Sequence, residues 1–265
     1  MGEDKVTFSF GKNWQKFVER NFSEERVGIS RAHILDFLGL PGLAGKYFLD
    51  IGCGSGLHSL AAFRSGAGRI VGIDVDPFSV ETSERIREMS GAPPDWEVLC
   101  GSILDDAFVA KIEPADIVYS WGVLHHTGNL WKAVRNAASL VKPGGLFYIA
   151  VYEKTEKSDR SIALKKEYNR ASSLRKRAME LSYVFRNFFV GRAPWHMLES
   201  IRYMKDYRKT RGMEFWTDIR DWLGGWPYEP ATPEEVVSFC TDQLGFSRLK
   251  VKTGEANIEY LFGKG

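Results

Sequence analysis

The chain has 265 residues, of which 44% are hydrophobic and 26% charged, and a formal net charge of +2. That length can bury a substantial core, and one domain with an elaboration is the natural organisation. Three cysteines (Cys53, Cys100, Cys240) lack metal-ligand spacing and are too few for a disulfide framework, which points to a reducing compartment. No signal peptide is evident in MGEDKVTFSFGKNW, and no apolar run reaches the roughly 18 residues of a membrane span. A cytoplasmic protein with no membrane span is expected.

Residues 1–45 read as an N-terminal helical cap. From 46 to 152, short apolar runs alternate with helical patterns. The expected strands are Tyr47–Ile51, Ile70–Asp74, Trp96–Leu99, Asp116–Ser120 and Leu146–Val151. The expected helices lie near Leu57–Ser65, Pro77–Met89, Asp105–Lys111 and Asn129–Val141, with Asp76 as a cap and Pro77 in the first helical position. Such alternation predicts βαβ units, hence a parallel sheet covered on both faces. Residues 153–225 break the rhythm and read as a helical insertion. From Glu153 to Arg211 there are 16 Lys/Arg against seven Asp/Glu, a local balance of +9. In 226–265, ATPEEVVSFCTDQLGF reads as a capped helix, with Thr232 as cap, Pro233 in the first turn and Gly245 past the end. Strands Ser247–Thr253 and Asn257–Phe262 follow, joined closely enough to pair antiparallel.

One stretch, KYFLDIGCGSGLHSLAA, carries the functional signal. An apolar run ends at Asp50, Gly52, Gly54 and Gly56 follow at alternate positions, and a helix begins at once. Such a turn brings a ligand against backbone N–H groups at a helix N-terminus. The next strand ends in Asp74, which can accept two hydrogen bonds from a ribose diol. Cys53 in the turn reads as a small packed side chain and His58 as structural.

The sequence resembles the class I S-adenosylmethionine (SAM)-dependent methyltransferases. FLDIGCGSG is similar to the family's first motif and VGIDVDP to its ribose-binding segment. VLCGSILDD stands where adenine is held, ADIVYSWGVLHHTGN resembles the fourth-strand motif, and LVKPGGLFYIAVY the turn into strand five. The resemblance implies a Rossmann-like α/β fold: a seven-stranded sheet with its last strand antiparallel, completed by residues 226–265, and a basic insertion after strand five that builds the acceptor pocket. It implies SAM as cofactor and S-adenosylhomocysteine as product. Asp50 and the backbone of Gly52, Cys53, Gly54 and Gly56 should hold the methionine end. Asp74 should hold the ribose, and Val75, Ser102 and Ile103 the adenine, although Gly-Ser stands here where many relatives have Gly-Asp. Ser120 and Trp121 should lie near the reactive methyl group. The N-terminal FSFGKNWQKF offers Trp14, with Phe10 and Phe17, to cover the cofactor, or else a helix packed on the sheet edge.

SAM is already a reactive methyl donor, so the protein must align the acceptor, exclude water and remove a proton where needed. His125 and His126 follow strand four directly. His125 is the expected general base and His126 a positioning residue, with Tyr152 and Glu229 as further wall candidates. The basic insertion suits a small acidic or sugar-like acceptor methylated at oxygen. Its charge equally suits a phosphate backbone, an anionic membrane surface or a solvated face. An RNA methyltransferase is the alternative among enzymes, but no RNA-binding module is recognisable, which argues against nucleic acid. A non-catalytic SAM-binding regulator is the alternative outside them.

Overall fold

The computed structural model describes residues 23–190, 199–204, 215–253 and 257–265. Its chain divides into two compact units, residues 23–155 with 227–265 and residues 156–226.

The larger unit opens with helix α1 (Glu24–Leu38), β1 (Tyr47–Ile51), α2 (Leu57–Arg64), β2 (Arg69–Asp74) and α3 (Pro77–Met89). It continues with β3 (Trp96–Cys100), the short α4 (Asp106–Val109), β4 (Ala115–Trp121), α5 (Leu130–Ser139) and β5 (Val141–Tyr152). All five residues of β1 are buried, as expected of a parallel strand covered on both faces. Asp76 caps α3 through a bond from the Phe78 amide, and Pro77 occupies its first turn, as the sequence predicts. β5 starts at Val141, five residues before the expected Leu146. Val141 pairs with Ala115, and a register shift between Ala115 and Ile117 absorbs the Pro-Gly-Gly segment.

The smaller unit supplies α6 (Ser158–Arg170), α7 (Ser173–Phe188) and α8 (Phe215–Gly224). Its own core is Tyr168, Val184, Phe215, Ile219 and Leu223. Lys165 is buried there, donating to the Trp222 carbonyl, and burial pulls its ammonium down to about 8. The Tyr168 hydroxyl donates to Glu180 at 2.7 Å, and Arg220 approaches the same carboxylate at 3.4 Å. Some charge of this basic segment is therefore spent on its own packing.

The chain then completes the larger unit with α9 (Pro233–Ser238), a π-turn (Phe239–Gln243), β6 (Phe246–Lys252) and β7 (Asn257–Lys264). Thr232 and Glu235 form the reciprocal capping box at the start of α9. The sheet order is β3-β2-β1-β4-β5-β7-β6, with β7 antiparallel to both neighbours. This is the class I methyltransferase sheet that the resemblance implies. The reversal from β1 outward to β2 on one side and β4 on the other creates a switch point at the strands' carboxyl edge, where such sheets bind ligands.

One face of the sheet packs on α1, α2 and α3, the other on α5 and the C-terminal helix. On the α1 face a single buried carboxylate gathers three donors. Glu259 accepts from His33 Nε2 at 3.1 Å and Lys252 Nζ at 3.2 Å, and from the Tyr148 hydroxyl. Burial alone would raise its pKa, but these bonds outweigh it and hold the carboxyl down at about 2. The stabilisation is present above the ordinary 4.5 and is lost as pH falls toward about 2. Glu259→Gln is expected to lower stability at neutral pH by about 1–3 kcal/mol. It should also flatten the acid limb of a urea-denaturation series; an unchanged acid limb would show that the donors carry no coupled charge.

Candidate active site

The glycine turn joins β1 to α2 at the switch point. Gly52, Gly54 and Gly56 all sit at positive φ (76°, 52° and 78°), a region open to glycine at no steric cost. Space is as restrictive as conformation. A Cβ on Gly52 would stand 2.4 Å from the Val123 side chain, and one on Gly56 would stand 2.6 Å from Ser83 Oγ. The turn thus lies directly against the loop that follows β4. Cys53 is buried against Gly72 of β2, where an added Cβ would be 3.1 Å from its Sγ. Burial keeps its thiol well above the usual range, so it is a packed neutral group, not a nucleophile.

Most of the turn's amides are committed within the protein. Gly52 and Cys53 donate to the Ile73 carbonyl at 2.7 and 3.0 Å, Gly54 to Asp74 Oδ2 at 3.0 Å, and Gly56 to the Cys53 carbonyl at 2.8 Å. A phosphate-binding turn needs such donors for its anion. This turn supplies shape and two carboxylates instead, a chemistry suited to a cationic ligand with a diol and no phosphate.

The two carboxylates differ. Asp50 is almost wholly buried and accepts from Ser59 Oγ at 2.6 Å. Burial, with Asp74 adding repulsion, pushes its carboxyl up to about 7 against the help of Ser59. A nearby cation would restore its charge. Asp74 is half-buried and takes the amides of Gly54 and Asp76 on its two oxygens, leaving further lone pairs on each. Burial raises its pKa, and those amide bonds oppose the shift. Val75 beside it is 68% exposed, unusual for a valine at a strand end.

Other expected residues fall around this centre. Ile103 is buried, while the Ser102 hydroxyl accepts the Leu104 amide at 3.1 Å and so shapes its own turn. Ser120 is fully buried and donates to the Ile51 carbonyl at 2.9 Å, tying β4 to β1 beneath the glycine turn. Trp121, at the end of β4, keeps a buried indole N–H with no hydrogen-bond partner among the described residues. Trp14 lies outside the described residues.

The histidine pair forms a single 3₁₀ turn, Leu124–His126. Residues 227–231 fasten to it. His126 Nδ1 lies 2.6 Å from the Pro227 carbonyl, and the Glu229 amide donates to the His125 carbonyl at 2.8 Å. Glu229 Oε2 accepts the Leu130 amide at 2.9 Å, so this expected wall residue also caps α5. The Ala231 amide then joins the Tyr152 carbonyl at 3.1 Å. A carbonyl only accepts, so His126 carries a proton on Nδ1, and in the neutral ring Nε2 is then the basic nitrogen. His125 is the reverse: fully buried, it accepts the Tyr152 amide on Nδ1 at 3.4 Å, which leaves its proton on Nε2.

Two neighbours escape the sequence reading. Tyr228 stands with its ring 6.0 Å from that of His126 and 5.6 Å from that of Tyr152, and burial raises its phenol to about 12, so it stays neutral. Its only sequence signal is an aromatic set between Pro227 and Pro230. Asn257 begins β7, and its Oδ1 is buried with no partner among the described residues. A Cβ on Gly122 would lie 3.7 Å from its Nδ2. No spacing in the chain links residue 257 to residue 122.

Comparison with known proteins agrees with this fold. The Methyltransferase domain family matches residues 23–193. Ubiquinone biosynthesis O-methyltransferase of Methylobacterium sp. (strain 4-46) is 35% identical over 133 residues, covering 50% of this chain and 51% of that protein. Ribosomal protein L11 methyltransferase of Vibrio campbellii is 32% identical over 111 residues, covering 42% and 35%. The chain thus spans about half the length, or less, of these curated relatives. Among solved structures, magnesium protoporphyrin IX methyltransferase from Synechocystis PCC 6803 with bound SAH superposes with a TM-score of 0.56 at 13% identity, covering 96% of this chain and 94% of that one. A SAM-dependent methyltransferase from Aquifex aeolicus gives 0.52 at 13%, covering 95% and 98%. At such identities the likeness concerns the fold.

The turn can be tested by two alanines. Gly144 has φ +73° and nothing within 4 Å of an added Cβ, so Gly144→Ala reports conformation alone, about 1–2 kcal/mol. Gly52→Ala adds the collision with Val123, and should cost about 1–3 kcal/mol more in chemical denaturation. Equal losses would mean that Val123 yields and the turn does not abut the histidine loop.

A family match across more than half of the chain, on a sheet of this order, establishes the kinship: the protein belongs to the class I SAM-dependent methyltransferases.

Proposed function

We propose that the protein methylates a hydroxyl oxygen on a small acidic or sugar-like acceptor, with His126 as general base. The observation that carries this reading is the 2.6 Å contact between His126 Nδ1 and the Pro227 carbonyl. That bond orients the ring and reserves Nε2 for a proton. Nε2 of His126 takes the acceptor's hydroxyl proton as the oxygen forms its bond to carbon. SAM, when bound, supplies the electrophilic methyl group and leaves as S-adenosylhomocysteine. His125, the expected base, takes the positioning role instead. Its buried ring supports the chain at Tyr152 and packs against His126 with ring centres 4.3 Å apart. Tyr152, Tyr228, the Trp121 indole N–H and Asn257 Oδ1 offer the acceptor aromatic walls, one donor and one acceptor atom.

Oxygen as the target is supported by the relatives named ubiquinone biosynthesis O-methyltransferase, and a hydroxyl is the acceptor that needs a base of histidine strength. An acidic acceptor is supported by the +9 balance of residues 153–211, which we assign to acceptor selection. Asp50 and the turn at Gly52, Cys53, Gly54 and Gly56 are assigned to the methionine end of SAM. Asp74 is assigned to the ribose, and Val75, Ser102 and Ile103 to the adenine.

A panel of phenolic acids, uronic acids and their neutral analogues, read as S-adenosylhomocysteine formed, tests the reaction. Acidic hydroxyl acceptors should turn over, and His126→Asn should lower kcat about 100-fold with SAM affinity unchanged. His125→Asn should act mainly on thermal stability. The assignment fails if the His126 variant keeps full turnover. Asp74→Asn keeps the shape of the side chain while removing its charge. Calorimetry should show SAM binding weakened about tenfold or more, since each charge-assisted bond carries about 1.5–3 kcal/mol. Unaltered affinity would put the ribose elsewhere.

A further inference from the structure

Helix α7 is amphipathic in an unusual sense, because it has two apolar faces. Toward its own unit it buries Val184 and Glu180, and Glu180 is the helix's only acid, held inward by Tyr168 and Arg220. On an adjoining outward side Leu174, Ala178, Leu181 and Phe185 recur at spacings of four, three and four, which places them on one stripe. The stripe faces solvent: Leu174 is 81% exposed, Leu181 59% and Phe185 61%, and Val190 just beyond the helix is 55% exposed. At 100° per residue, Arg177 borders one edge of the stripe, and Arg175 and Arg186 border the other. All three are exposed; Arg175 pairs with Glu167 at 2.6 Å. Phe185 also stacks on Phe189, ring centres 6.3 Å apart, but most of this apolar row, rimmed by arginines and with no acid of its own helix beside it, remains in solvent.

We infer that this face of α7 docks on an anionic lipid surface, lying in the interface plane with Leu174, Leu181 and Phe185 in the acyl boundary and the arginines at the headgroups. The charge decides among occupants. A second copy of the chain seated on the stripe would oppose cation to cation, in a segment with a +9 balance. An anionic bilayer satisfies both components at once, since its headgroups attract the rim and its hydrocarbon takes the row. The mode is peripheral, because no helix among the described residues is long and apolar enough to cross a membrane. The docking is read as binding alone, so its test needs no turnover.

The test is flotation of the full chain with vesicles of equimolar phosphatidylcholine and phosphatidylglycerol, against phosphatidylcholine alone. Binding is expected to the mixed vesicles only and to weaken with salt. Leu181→Asn with Phe185→Ser, and separately Arg177→Glu with Arg186→Glu, should each reduce it about tenfold or more. SAM affinity and thermal midpoint should stay at their parent values, as these side chains are exposed. Three results would overturn the inference: no flotation, flotation that survives the Leu181 and Phe185 changes, or light scattering that shows a dimer split by those changes.

Discussion

The hydrogen bonds that fasten residues 227–231 onto the ends of β4 and β5 fix how the two histidines are held. Four contacts within five residues bind the Pro227 carbonyl, the Glu229 amide, the Glu229 carboxylate and the Ala231 amide to His126, His125, Leu130 and Tyr152. Imidazole tautomers are otherwise close in energy, so an external acceptor on Nδ1 selects the one with a basic Nε2. The same segment brings Tyr228 beside the pair. One short peptide therefore sets proton position, ring orientation and one aromatic wall, and it does so from more than 100 residues downstream.

The glycine turn follows the same logic of prior commitment. Its amides bond to Ile73, Asp74 and Cys53, so the backbone is rigid before any ligand arrives, and little reorganisation remains to be spent on binding. What it presents is a narrow floor and two carboxylates of unequal character. Asp50, wholly buried, has its carboxyl raised by burial and so favours a cationic neighbour, whereas Asp74 stays half-open with amide support. That pairing matches a cofactor with a cationic amino-acid end and a neutral diol.

The parallel strands, the capped helices, the glycine turn and its acid partner at Asp74 are legible in the chain because they are local. Each depends on residues within one strand-turn-helix, where hydrophobic period and capping chemistry speak directly. Even the antiparallel ending follows from a connection too short for a crossover. The early start of β5 is not local: Val141 joins the sheet because Ala115 offers it a partner, and the Pro-Gly-Gly segment is bridged by the register shift.

The sequence alone determined the fold class and the cofactor, since these reside in contiguous motifs whose residue types have few other uses. Tertiary structure alone decided the tautomer of His126, because that depends on the Pro227 carbonyl that meets it across the fold. It also decided that Ser120 ties strands together and that Glu229 caps a helix, as both bonds run to groups distant in the chain. The outward stripe on α7 belongs to the same class. Its spacing is written in the sequence, but a helix with two apolar faces does not say which one is buried until Glu180 and Val184 have found their partners.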